Sequence, residues 1–134
     1  MFPFAFHQMQ KPCLFCNMPE ARVILRGELA YVVRDSFPVS PGHTLIILKR
    51  HVGSLFDTTN EERLSMLELM DQAKRMLDTE LHPDGYNIGL NDSAAAGQTI
   101  PHLHWHLMPR YKGDSSDARG GVRWIFPDKA KYWK

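Results

Sequence analysis

The sequence predicts an α+β domain: a mainly antiparallel sheet with one long helix laid against it. Three observations carry that expectation. Short runs rich in branched aliphatic residues recur between Gly, Pro and Asp punctuation, as in "RVILRGELAYVVRD" and "HTLIILKR". One stretch, from Thr59 to Leu81, switches to a repeat of three or four residues. A later stretch, "PHLHWHLMPR", alternates strictly between histidine and apolar residues.

At 134 residues the chain suggests a single domain, large enough to bury roughly two-thirds of its unfolded surface. Its 16 basic and 15 acidic side chains nearly cancel, so no strong field would draw in long nucleic acid. A mild local bias exists from Arg110 to Lys134, where seven Lys/Arg face three Asp; it suits a solvated tail or a small anionic ligand. No apolar run approaches the roughly 20 residues of a membrane helix. The opening "MFPFAFHQMQKPC" lacks a basic n-region followed by a continuous apolar core, so a secretory signal is not expected. With only two cysteines, three residues apart, a disulfide framework is not expected either. Together these point to a cytoplasmic protein.

In chain order, "RVILRGELAYVVRD" reads as two strands about Gly27, a hairpin. "DSFPVSPGH" is a Pro- and Gly-punctuated loop, and "HTLIILKR" a short apolar strand. Thr59 stands three residues before Glu62, a capping-box pattern. Behind it Leu64, Leu67, Met70, Ala73, Leu77 and Leu81 mark an apolar stripe. This predicts a helix of about 20 residues, about 30 Å long. "HPDG" stops it. "GYNIGLN" reads as a strand, "DSAAAGQT" as a loop, and the histidine stretch as a strand opened by Pro101. The segment after Tyr111, rich in Gly, Arg and aromatics, has no assignable period.

Alternation places His102, His104 and His106 on one face of their strand, and Leu103, Trp105 and Leu107 on the other. Three readings are open. A half-exposed strand could simply use histidine. A metal could be held by the histidines, but residues four apart lie about 13 Å apart along a strand, against metal–nitrogen bonds of about 2.0–2.1 Å. All three could not easily share one ion, although an adjacent pair could with a ligand from elsewhere. Third, a neutral imidazole can attack phosphorus while a neighbour donates to a phosphate oxygen or the leaving group. His104, flanked on both sides, is best placed to attack.

"CLFC" offers Cys13 and Cys16 as half of a tetrahedral zinc site. A redox pair, or two unligated thiols, are the alternatives. His7, His43, His51 and His102 are candidate partners. His82, after the helix, suits a helix C-terminus; neither it nor His7 is expected to carry function.

"HLHWHLM" fits the pattern His-φ-His-φ-His-φ-φ, with φ apolar, and the chain resembles the histidine-triad (HIT) superfamily. "DSFPVSPGH" upstream and "GLNDSAAAGQTIPHLHWH" leading into the triad match in the same order, and "YKGDSSDARGGVRWIFPDKAKYW" looks like the tail of a prokaryotic branch that includes diadenosine polyphosphate hydrolases. The resemblance implies a five-stranded, mainly antiparallel sheet with one long and one short helix, and a homodimer joined into a ten-stranded sheet. It implies one domain over 1–134, with 1–20 a zinc-binding segment and 111–134 a tail near the active site. It implies His104 as nucleophile toward the α-phosphate of a nucleotide and His106 as the group that contacts that phosphate and assists the leaving group. Gln98 and Thr99 would bind phosphate oxygens, Asn91 would reach the phosphate or ribose, and Asp35 would hydrogen-bond the ribose hydroxyls. His43 would be a buried partner behind the triad. Cys13, Cys16, His51 and His102 would hold a structural zinc. Keeping His106, rather than Gln, favours hydrolase branches; Trp105 departs from the usual small aliphatic residue. Phe15, Phe37 and Ile46 are candidates for an apolar base slot.

The leading expectation is hydrolysis of dinucleoside polyphosphates through a nucleotidyl-histidine, with no organic cofactor. Adenosine phosphoramidates are the alternative substrates. A nucleotide-binding regulatory module with incidental hydrolysis, and a zinc hydrolase using the comb as ligands, are the competing classes.

Overall fold

The structure, a computed structural model, describes residues 13–134. His7 and the first part of the N-terminal segment lie outside the described residues. Five strands form one sheet: β1 (Val23–Arg26), β2 (Ala30–Arg34), β3 (Thr44–Leu48), β4 (Gly85–Gly89) and β5 (His104–Arg110). Their order is β1-β2-β3-β5-β4, with every neighbour antiparallel. The two predicted hairpin strands and the "TLII" strand form where their β-branched runs lie, and "GYNIG" forms a strand as expected.

Helix α1 spans Asn60–Leu81, 22 residues. Thr59 caps it: Glu62 N–H donates to the Thr59 hydroxyl, and Thr59 N–H donates back to the Glu62 carboxylate. His82 ends it in the left-handed conformation, φ 49°. The predicted stripe is rotated from the real one. Met66, Leu69, Met70, Ala73 and Leu77 are buried, whereas Leu64, Leu67 and Leu81 are 56, 49 and 39 % exposed. Apolar residues cover a broad arc of this helix, so its period alone permits either choice. Two contacts decide it: the bond from Arg50 to Glu62, and the close approach of the hairpin at Gly27 to Leu69.

One sheet face presents Ala30, Val32, Ile46, Leu48, Trp105 and Leu107 to the helix and holds the main core. Burying each large aliphatic side chain there contributes roughly 1.5–3 kcal/mol. The opposite face carries Tyr31, Val33, Leu45 and Ile47, covered in part by Phe15. Trp105 lies on the helix side as expected, and its indole N–H has no partner among the described residues.

Two connections set up the site. The β2–β3 loop turns at Gly42, φ 88°, where a Cβ would come within 2.8 Å of Leu77 and Leu81. Only glycine fits, and the turn delivers His43 to the face away from the helix. After Tyr111 the chain forms a 3₁₀ turn, Gly121–Ile125, and a short helix α2, Pro127–Ala130. A Cβ on Gly121 would lie 3.2 Å from Asn87 Nδ2, and Arg110 donates to Asn87 Oδ1. Asn87 pairs with Met108 in the β4–β5 ladder, so the tail meets the face that carries His104 and His106.

Candidate active site and metal centre

β5 begins at His104, not at Pro101 or His102, so the comb is not one strand. Pro101 has no N–H for the ladder. His102 N–H instead donates 2.8 Å to the Ile100 carbonyl, a tight turn just before the strand. Only His104 and His106 alternate on β5, with ring centroids 5.2 Å apart. Their strand neighbours Trp105 and Leu107 are buried on the other face. β4 places Gly89 beside His106, and a Cβ there would meet nothing within 4 Å. The histidine face is therefore open on its β4 side.

The turn sends the His102 side chain to a different cluster. Its ligand atom and those of Cys13, Cys16 and His51 lie within 4.8 Å of one another. Cys13 Sγ and Cys16 Sγ stand 3.4 and 3.5 Å from His102 Nδ1. Cys16 Sγ is 3.3 Å from His51 Nδ1, and the two Nδ1 atoms are 3.2 Å apart. Tetrahedral zinc with ordinary bond lengths has edges of about 3.3 Å between nitrogens and about 3.5 Å between sulfur and nitrogen. The set fits such an ion in donor type and in size. His102 Nε2–H donates to the Leu48 carbonyl at 2.6 Å, which fixes the tautomer and leaves the Nδ1 lone pair facing the cluster. Phe15, between the cysteines, is 5 % exposed and packs edge-on against both His102 and His104. Tyr31 O–H donates to the Phe15 carbonyl, tying the "CLFC" turn to β2.

Hydrogen bonds also fix the other tautomers. His104 Nδ1–H donates 2.8 Å to the His102 carbonyl, so His104 Nε2 carries a free lone pair. Val39 N–H donates 3.1 Å to His43 Nδ1, so the His43 proton sits on Nε2. That nitrogen is 2.9 Å from His106 Nδ1, which must accept. His106 therefore carries its proton on Nε2. Burial first, then the neighbouring His104 and His43, holds the His106 pKa down at about 4, against the pull of Asp35. Burial also lowers that of His43, again opposed by Asp35. Both rings are neutral near pH 7.

Asp35 lies where it can serve this chain. One carboxylate oxygen accepts from Phe37 N–H at 2.8 Å, and the other is 3.4 Å from His43 Nε2. Asp35, His43 and His106 also cluster closely enough to hold an ion. A metal on His43 Nε2 would push the proton onto Nδ1, against Val39 N–H. The hydrogen-bonded relay is the better satisfied arrangement.

The loop before the triad holds the remaining residues. Asn91 and Thr99 are exposed. Gln98 is bonded inside the loop: its Oε1 accepts from Ser93 N–H at 2.8 Å, and its Nε2 donates to the Gly53 and Ile100 carbonyls at 3.0 and 3.2 Å. Asp92, which sequence reasoning missed, accepts from Ser54 O–H and Leu55 N–H, both at 3.0 Å. Its partners are 37 and 38 residues away, so no local pattern could reveal them. Two base-slot candidates are displaced. Ile46 is fully buried toward the helix because strand parity puts it there, and Phe15 is enclosed at the cysteine turn. Phe37 is 87 % exposed beside Asp35. Two hollows, of about 330 and 340 Å³, lie between the hairpin and α1 and around Asn87, Arg110 and Lys112. Neither is lined by His104 or His106.

The HIT domain matches residues 18–113. An AP-4-A phosphorylase of Mycobacterium tuberculosis is 36 % identical over 98 residues, 72 % of this chain; the chain spans only 50 % of that protein's length. An asymmetrical bis(5'-nucleosyl)-tetraphosphatase of Schizosaccharomyces pombe is 33 % identical over 110 residues, 81 % of this chain and 60 % of that one. A zinc-bound histidine triad family protein from Mycobacterium smegmatis superposes with a TM-score of 0.71 at 36 % identity, over 78 % of this chain and 79 % of that one. Among the described residues no helix is long and apolar enough to cross a membrane. Sequence, sheet order and the histidine strand agree, and the chain belongs to the HIT family.

Proposed function

We propose that this protein hydrolyses dinucleoside polyphosphates, such as diadenosine tetraphosphate, through a nucleotidyl intermediate on His104. One observation carries the reading. His104 Nδ1–H is held by the His102 carbonyl, so Nε2 presents a lone pair beside His106. His104 Nε2 attacks the α-phosphorus. A nitrogen–phosphorus bond forms, and the bond to the departing nucleotide oxygen breaks. His106 Nε2–H stands ready to donate to that oxygen or to a phosphate oxygen. His106 gives only that hydrogen bond, and the departing group leaves as an anion; water then attacks phosphorus, the nitrogen–phosphorus bond breaks with its electrons returning to His104 Nε2, and the proton of the water passes to solvent. His43 keeps the His106 proton on the outer nitrogen throughout. Asn91 and Thr99, exposed before the triad, are offered as phosphate or ribose contacts, and Asp35 as the ribose contact. The relatives' names support this substrate class.

Cys13, Cys16, His51 and His102 would hold zinc. When bound, it supplies a closed tetrahedral cross-link with no open position for catalysis. We assign it a structural role, with residues 13–20 its described anchor. The two free cysteines suit a reducing, cytoplasmic setting. β4 is an edge strand with Ile88 49 % exposed. That edge suits a homodimer through a ten-stranded sheet, with the 111–134 tail lying along the histidine face near the active site.

The test is a panel of symmetrical and asymmetrical dinucleotides and adenosine phosphoramidates, with and without inorganic phosphate, followed by product analysis. An acid-labile labelled nucleotide should be trapped on the native chain and be absent from His104→Asn. Turnover of phosphoramidates alone would make the protein a phosphoramidase. Binding with negligible turnover would make it a nucleotide-binding regulatory module. Metal-dependent rates with no adduct would overturn the covalent route.

A further inference from the structure

Glu62 is a charged residue that the nucleotidyl chemistry does not use, yet it is only 5 % exposed. Arg50 meets it with two bonds: Nε donates to Oε2 and Nη2 to Oε1, both at 2.9 Å. Such a fork holds a guanidinium in one orientation. Nη2 also donates to the Asp57 carbonyl at 3.1 Å. Arg50 is thereby clamped to the start of α1, and it lies in a segment, 48–52, that serves two of the four candidate zinc ligands. The Leu48 carbonyl accepts from His102 Nε2–H at 2.6 Å, and His51 brings its own Nδ1 to the cluster. The ligands differ in what steadies them. His102 has the Leu48 carbonyl behind its ring, and the "CLFC" turn has the Tyr31 bond to Phe15. His51 is exposed, and among the described residues its Nε2 has no hydrogen-bond partner. Its position comes from the backbone on either side: Val52, whose carbonyl accepts from Leu103 N–H at 2.7 Å, and Arg50, clamped to the helix.

We propose that Arg50 and Glu62 are positioning residues for the zinc site. Their fork anchors the 48–52 segment, so that His51 Nδ1 and the Leu48 carbonyl behind His102 are held in place for the ion. Outside partners that orient metal ligands are typically worth about 10–100-fold in affinity. The pair also joins the metal to α1. Glu62 Oε1 accepts from Thr59 N–H in the capping box, so one carboxylate both closes the helix start and steadies a metal ligand. This inference rests on the zinc reading, and it is measured in metal affinity and coordination geometry, without turnover.

The experiment separates the two jobs of Glu62. Glu62→Gln keeps an oxygen for Thr59 N–H but turns an amide N–H toward Arg50 Nε, which breaks the charged fork. Thr59→Ala removes the hydroxyl cap and leaves the fork. Zinc dissociation constants are measured on the full chain by competition with a chromophoric chelator, alongside melting temperatures. Co2+ is then substituted to read the ligand-field bands of the tetrahedral site. Glu62→Gln should bind zinc about 10–100-fold more weakly, with altered cobalt bands. Thr59→Ala should melt lower yet hold zinc and cobalt as the native chain does. Arg50→Lys keeps the charge and a single bond, so it should fall between native and Glu62→Gln. It carries the test if Glu62→Gln does not fold. Zinc binding weakened equally by the fork and cap variants would make the pair a helix anchor only, and overturns the proposal. Native affinity in both fork variants overturns it too, and leaves the zinc reading standing. A native chain that takes up no zinc overturns the zinc reading and the proposal with it.

Discussion

His106 is a residue whose chemistry is set two bonds away. Val39 N–H fixes the proton of His43, and His43 fixes that of His106. His43→Phe keeps bulk but removes the donor, freeing His106 to adopt the wrong tautomer. We expect kcat for diadenosine tetraphosphate to fall on the order of 10²-fold, with KM nearly unchanged, by analogy with other tautomer-setting partners. The same burial makes a prediction about pH. An unfolded histidine titrates near 6.5, whereas folded His106 titrates at about 4 and His43 is lowered as well. Between those values the unfolded chain binds more protons than the folded one. Stability is therefore full above about pH 6.5 and falls as pH drops toward about 4. Urea titrations across that window should show the slope, and His106→Asn should flatten it. A native slope equal to that of the variant would contradict the assignment.

Among the elements, α1 shows the limit of periodicity. Met70, Ala73 and Leu77 are legible in the sequence as core, but Leu64 and Leu67 carry the same spacing and face solvent. Which arc turns inward depends on residues outside the helix, at Arg50 and Gly27. Leu77→Ala should cost about 2–5 kcal/mol, since it leaves a cavity. Leu64→Ala should stay within about 0.5 kcal/mol. Denaturant unfolding of the two variants tests the difference. The capping box was legible because its bonds are local. The break between His102 and β5 was not, because alternation in "HLHWH" is unchanged whether the first histidine is in the ladder or in a turn.

For the whole molecule, the "CLFC" turn is held to the sheet by the proposed zinc, by the Tyr31 bond to Phe15 and by the apolar packing of Phe15. Zinc bound to the folded chain alone stabilises it by mass action. One equivalent per chain is expected by elemental analysis, and chelation should lower the melting temperature markedly. Turnover should be lost in step with unfolding and not before it; loss of chemistry in a chelated but still folded protein would contradict a structural role. Sedimentation should give the mass of two chains, and Ile88→Lys on the exposed β4 edge should shift it toward one. A native monomer would remove the ten-stranded sheet.

The sequence by itself determined the α+β class, the strand runs, the capped helix, and a histidine strand flanked by a cysteine pair. These are local properties: period, cap and turn chemistry need only neighbours in the chain. Tertiary structure alone decided which residues work together. His102 parts from His104 and His106 because a turn before the strand aims it at cysteines 86 and 89 residues away. Ile46 leaves the site because its strand parity faces the helix. Gln98 turns inward because Ser93 N–H and the Gly53 and Ile100 carbonyls lie within reach of its amide. Each outcome depends on a contact between distant segments, and the hydrogen-bond capacity of each group is spent once, on whichever partner the fold brings within reach.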